Sequence, residues 1–191
     1  MNATVQTIFE EIVNQLGFGA LPNFFRYQEE TPKLLQTSWG QVKSMLVADG
    51  VLTRLQKELI LIAVSRHNHC TYCEQAHLAL CGRLGYEHLV IDDRFSARTR
   101  AMVDVALLAV TSRDVGRTQD LVTRYALTPT ELHEIACMTA VSQYLNTIAE
   151  TLRIPLDPMI PEAVRPVADH PAMLAMLASM DEMIATLHKQ V

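Results

Sequence analysis

The stretch that decides the fold is Thr53–Arg66, TRLQKELILIAVSR. From Leu59 to Val64 it is apolar on every side of a 3.6-residue turn, the mark of a helix enclosed by neighbours rather than lying on a surface. A polar break follows at His67, Asn68 and His69, and a second helix is expected from about Cys70 to Leu84, closed by Gly85. Upstream, Thr31 and Pro32 read as an N-cap with proline in the first helical position. They open a segment that runs through Trp39 and Val42 to about Val47 and ends at Gly50. Residues 4–16 form an amphipathic segment with Ile8, Ile12, Val13 and Leu16 on one side, stopped by Gly17 and Gly19.

Downstream, residues 96–111 and 128–151 also carry a helical pattern. The second of these opens with Thr128, Pro129 and Glu131 in the manner of a capping box. No stretch alternates as a strand would. Five of the eight prolines lie between Pro155 and Pro171, which reads as an extended arm leading to a last helix. The expectation is an all-α, single-domain helical bundle over 1–191: a core at about 35–152, a proline-rich arm at 153–171 and a C-terminal helix at 171–190. One echo, Glu58, Leu59, Ile62 and Ala63 against Glu131, Leu132, Ile135 and Ala136, hints at a duplication whose second copy lacks thiols.

Composition agrees with this reading. The 191 residues are 49% hydrophobic but only 6% aromatic, with nine Met, and a chain of that length buries a core without metal or disulfide staples. A formal charge of −5 gives no basic footprint, which argues against nucleic acid as a partner. The N-terminus, MNATVQTIFEEIVNQLG, places acidic residues inside its apolar pattern, unlike a signal peptide, and no 18 consecutive residues are apolar. A cytoplasmic protein with no membrane partner is expected. Two of the four cysteines stand in a CxxC, which in a reducing compartment points to redox chemistry or metal.

Cys70 and Cys73 fall at the start of a helix, where unpaired N–H groups and the helix dipole favour a thiolate, the nucleophilic form of the side chain. Their spacing puts both sulfurs on one face within disulfide reach, and His77 continues the same stripe. Glu58 sits one helix earlier, beside the apolar run, where a carboxylate can take a proton from a thiol. Helix physics alone makes Cys70, nearer the helix end, the more exposed thiolate of lower pKa. Cys81 and Cys137 read as small buried hydrophobes.

Glu58, eleven residues, Cys70, two residues, Cys73, three residues and His77 together resemble the signature of the alkyl hydroperoxidase D core of the carboxymuconolactone decarboxylase superfamily. The flanking text ELILIAVSRHNHCTYCEQAH is similar too, and YLNTIAETLRIPLDP resembles the corresponding segment of peroxidase-related members. The resemblance implies a thiol peroxidase in which Cys73 attacks a hydroperoxide and Cys70, facing outward, resolves the sulfenic acid to a disulfide. Glu58 and His77 relay protons, and a dithiol protein reduces the pair, with no cofactor and no metal. It also implies a homo-oligomer, a hexamer or trimer and at least a dimer. The stripe Met173, Leu177, Met180, Ile184 and Leu187 points the same way, since a small monomer has difficulty burying it.

The sequence departs from the best-studied members at Tyr72, where they carry a histidine. The relay is then either shorter or completed by His69 or His67. Rival readings are a non-peroxidase disulfide reductase and a helical oligomer using CxxC as a metal or redox switch, with His67, His69, Cys70, Cys73 and His77 as potential zinc ligands. Lactone decarboxylation would leave the cysteine pair without a use.

Overall fold

A computed structural model describes residues 3–82, 84, 86 and 94–189. Every regular element among them is helical: α1 (Ala3–Leu16), α2 (Asn23–Arg26), α3 (Pro32–Gln41), α4 (Arg54–His67), α5 (Thr71–Cys81), α6 (Arg94–Val110), α7 (Val115–Tyr125), α8 (Pro129–Thr151), α9 (Ile160–Ala168) and α10 (Pro171–His188). A π-helical stretch, Val42–Val47, carries α3 onward in a wider spiral. No helix among the described residues is long and apolar enough to cross a membrane.

α4 is the central post. Its residues from Leu55 to Ser65 are all buried, and α5, α6 and α8 pack around it, with α10 touching it from outside. This enclosure accounts for the apolar run Leu59–Val64. Both long post helices begin in capping boxes. Thr53 Oγ1 accepts from the Gln56 N–H (3.2 Å) while Gln56 Oε1 accepts from the Thr53 N–H (2.9 Å); Thr128 and Glu131 repeat the pattern at α8. α4 ends in a Schellman turn. The Cys70 N–H reaches back to the Ser65 carbonyl (2.9 Å) around His69, whose φ of 57° is left-handed. The chain reverses there, and Cys70 becomes the N-cap residue of α5.

Several expectations need correction. α5 stops at Cys81, three residues before the expected Leu84, and Gly85 lies outside the described residues. The arm is not extended: α9 occupies Ile160–Ala168, with Pro161 in its first turn and Pro166 inside, and its Ile160, Val164 and Val167 are buried with α5 as its main neighbour. Proline in the first turn needs no partner for its missing N–H, and an amphipathic face outweighs the one at 166. α7 was not foreseen. The echo is not a structural repeat: Glu58 is buried in mid-helix while Glu131 sits in a cap, and α8 runs unbroken where α4 and α5 are split by a turn. The α10 stripe is covered by its own chain, with Met173, Met176, Met180 and Leu187 buried against α6, α9 and α4, so it supplies no reason for a second copy. Cys81 is buried, but Cys137 is only half-buried.

A buried lysine locks the approach to α4. Lys57, 2% exposed, donates to the Ala48 carbonyl (2.9 Å) and pairs with Glu134 of α8 (2.8 Å). Glu134 also accepts from the Val51 and Leu52 N–H groups (2.8 and 3.0 Å). A Cβ on Gly50 would lie 2.0 Å from Glu134 Oε1. Gly50→Ala must therefore push the carboxylate off its donors and leave Lys57 poorly compensated, so we expect a loss on the order of 2–3 kcal/mol by urea denaturation. An unchanged midpoint would show that the carboxylate can swing aside without cost.

Candidate active site

The four candidate residues come together. Glu58, with no exposed surface, holds Arg54 Nε at 2.7 Å on Oε1 and His77 Nδ1 at 2.7 Å on Oε2. Position four on α4 brings Arg54 over Glu58, and the α4–α5 packing brings in His77. With Nδ1 engaged by the carboxylate, the other ring nitrogen is left for the cavity side, and the imidazole charge favours the Cys73 thiolate.

The two sulfurs are neighbours of opposite character. The Cys70 S–H donates to the Cys73 sulfur, which holds Cys73 below the ordinary thiol range, with His77 and a hydrogen bond from Asn146 adding to the effect against burial. The same hydrogen bond, together with burial and the charge on Cys73, pushes Cys70 well above that range. The expectation from helix position is thus reversed: Cys73, not Cys70, is the thiolate. Cys70 does not face outward either; it is 0% exposed and Cys73 3%. An N-cap site loses its advantage when the side chain is enclosed and its proton is already committed to a neighbouring sulfur. Cys81 lies near Glu58 and Arg54, and burial, then the Glu58 charge, keep it a thiol.

An apolar cavity of about 60 Å³ opens onto Cys73 and His77. That is several times the roughly 10–15 Å³ a single water requires. Phe18, Phe24, Phe25, Leu46 and Leu145 form much of its wall, and neither Cys70 nor Glu58 lines it. Tyr72 does, but as a fastener: its O–H donates to Asp157 Oδ2 (2.8 Å) and its oxygen accepts from the Phe24 N–H (3.0 Å), while Asp157 Oδ1 takes the Asn23 N–H (2.8 Å). Burial, then the Asp157 charge, keeps the phenol protonated. Neither loop histidine replaces the missing one: His69 is exposed, and His67 packs its ring on His188 at 5.3 Å. The relay is the shorter of the two forms considered. Among the described residues no three or more His, Cys, Asp or Glu side chains form a group that could hold a metal.

Two residues of the site escaped the sequence. Asn146 bridges Cys73, Ser65 Oγ (2.9 Å) and Asn68 Nδ2 (2.8 Å), and Glu150, one turn along α8, reaches Cys70. Both belong to a helix with no thiol of its own near the pair. The signal lay only in their i, i+4 spacing and in polar residues on an otherwise packed face.

Residues 33–86, from α3 to beyond the CxxC, match the model of the carboxymuconolactone decarboxylase family. A peroxidase-related protein from Silicibacter sp. TM1040 superposes with a TM-score of 0.69 at 23% identity, over 81% of this chain and 85% of that one. The alkylhydroperoxidase AhpD core protein from Ralstonia eutropha JMP134, also described as peroxidase-related, gives 0.69 at 25%, over 83% and 88%. This chain is an AhpD-like member of the carboxymuconolactone decarboxylase superfamily. The debrominase Bmp8, seen as a variant with 2,3,4-tribromopyrrole, shares the fold with a TM-score of 0.64 at 17%, over 95% and 91%. No curated protein sequence matches the chain. The AhpD-like fold therefore serves more than one chemistry, and the chemistry of this member must be argued from its own residues.

Since the Cys70 S–H is the largest influence holding Cys73 down, Cys70→Ala should raise the pH at which Cys73 becomes alkylable. A depressed thiol stays ionised until pH falls through its lowered pKa, so removing the donor moves the inflection of the Cys73 iodoacetamide profile upward. Peptide mass spectrometry isolates Cys73 from the other thiols. An inflection that stays in place would make His77 or Asn146 the controlling group.

Proposed function

We propose that this AhpD-like chain is a thiol-dependent peroxidase that reduces hydroperoxides through a Cys70–Cys73 dithiol–disulfide cycle. The observation that carries the reading is the placement of the lower-pKa sulfur, Cys73, at the wall of the apolar cavity, with its neighbour Cys70 just outside. The Cys73 thiolate attacks the terminal oxygen of a hydroperoxide, the O–O bond breaks, and the departing alkoxide takes a proton from His77, which Glu58 holds in position. The products are an alcohol and a sulfenic acid on Cys73. Cys70 then displaces its hydroxyl as water and forms the disulfide, and a dithiol protein returns both sulfurs to thiols.

The runner-up, a disulfide reductase without a peroxide step, is less well served by this site. A thiol that attacks a protein disulfide must reach it, and both sulfurs lie closed to solvent. Reduction of the oxidised pair by a protein carries the same requirement, which the Schellman turn at 67–70 can meet by opening. The family resemblance alone supports a homo-oligomer, a trimer or hexamer. Light scattering at micromolar concentration should give at least twice the 21.4 kDa chain mass; a monomer would end that proposal.

On this reading Cys73→Ser abolishes consumption of tert-butyl hydroperoxide. Cys70→Ser reacts once and stops, leaving a sulfenic acid on Cys73 that dimedone tags. Glu58→Gln slows the first step on the order of a hundredfold, the usual worth of acid–base assistance, yet allows disulfide formation by diamide. A dimedone adduct on Cys70 in Cys73→Ser, with Cys70→Ser inert, would reverse the roles.

A further inference from the structure

We propose that Glu150 is the proton acceptor for Cys70 in the disulfide-closing step, an inference that rests on the peroxidase cycle above. The cycle needs such a group. Cys70 enters the step as a thiol, with 0% of its surface exposed, so bulk water cannot take its proton as the S–S bond forms. Glu58 is not available, because Arg54 occupies one oxygen and His77 the other, and neither Glu58 nor its partners has a hydrogen bond to Cys70. Glu150 is an exposed residue of α8 whose carboxylate accepts from the Cys70 side chain. It therefore touches the sulfur at one end and solvent at the other.

The placement is fixed by the helix rather than by the reach of a loose side chain. Asn146, one turn before Glu150, is buried and tied to Ser65 and Asn68, which orients this face of α8 towards the 65–70 turn. Asn146 thus addresses Cys73 and Glu150 addresses Cys70, in register.

The order of events follows from the single proton on Cys70. In the resting enzyme two acceptors compete for it, the Cys73 thiolate and the Glu150 carboxylate. Reaction with a hydroperoxide converts the thiolate to a neutral sulfenic acid and removes the first acceptor. The S–H then turns to Glu150. As the Cys70 sulfur attacks Cys73, the S–S bond forms and the Cys73 S–O bond breaks. The Cys70 proton passes to the Glu150 carboxylate and on to solvent, and the leaving hydroxide is protonated by His77 and departs as water. No free thiolate on Cys70 is required at any point, which suits a thiol held so far towards its protonated form.

The test is a single turnover of the reduced full-length protein with tert-butyl hydroperoxide, following formation and loss of the Cys73 sulfenic acid by dimedone quench and disulfide by mass. In Glu150→Gln the sulfenic acid should form at the wild-type rate or slightly faster, because the Glu150 charge opposes ionisation of Cys73. Its conversion to disulfide should slow on the order of a hundredfold, and Glu150→Asp should recover part of that rate. Closure at the wild-type rate in Glu150→Gln overturns the inference. So does equal slowing of both steps, or an Asp variant as slow as Gln, since each marks a packing role. If wild type forms neither sulfenic acid nor disulfide, the peroxidase reading itself fails and the Glu150 role falls with it, an outcome distinct from a wild type that cycles normally beside an unimpaired variant.

Discussion

Everything at this site hangs on a carboxylate in the wrong place for a carboxylate. Glu58 sits in a helix whose other residues from Leu55 to Ser65 are buried, and it has no exposed surface. Moving an ionised group out of water costs several kcal/mol unless partners replace the lost hydration. Arg54 and His77 do so, each at 2.7 Å and each on its own oxygen. Once that pairing is required, the separation and rotation of α4 and α5 are set, because His77 belongs to the second helix. The imidazole that satisfies the carboxylate is the same one whose charge reaches Cys73. Stability and the electrostatics of the thiol are therefore served by one contact.

The turn between the helices and the wall opposite complete the arrangement. The Schellman turn that ends α4 delivers Cys70 straight to the cap of α5, so the two sulfurs meet with one proton between them. That proton divides two chemically equal side chains into a thiolate and a thiol. Helix-end electrostatics alone would have divided them the other way. The direct hydrogen bond prevails because it acts at contact distance in an enclosed site, whereas the dipole of a helix end is diffuse.

Much of this was legible in the sequence. The apolar run of α4, the polar break and the Thr128–Glu131 cap gave the helices because each is a local pattern of one segment. The four candidate residues were legible because their spacing is fixed by two adjacent helices and a short turn. What failed was non-local. The burial of the α10 stripe depends on α6, which comes from 60 or more residues earlier in the chain. The helix α9 was hidden because proline was read as a breaker, although Pro161 falls in the first turn and buried Val164 and Val167 hold the rest. Asn146 and Glu150 carry no motif, and only the packing of α8 on α4 and α5 brings them to the sulfurs.

Tyr72 shows what the missing histidine does to the chemistry. Its hydroxyl is spent on Asp157 and the Phe24 N–H, and these bonds hold the Phe24–Phe25 segment over Cys73. Of the titratable side chains in the cavity wall, Tyr72 is kept protonated and Cys73 is the proposed nucleophile, which leaves His77 as the only proton donor facing a bound hydroperoxide. A histidine in place of Tyr72 would add a second titratable ring but would give up the fastener and admit water. The tyrosine keeps the cavity dry and confines proton traffic to two routes: Glu58 and His77 on the substrate side, Glu150 on the Cys70 side. With the routes on opposite sides of the sulfur pair, the proton that leaves Cys70 does not have to cross the apolar cavity in which the hydroperoxide reacts.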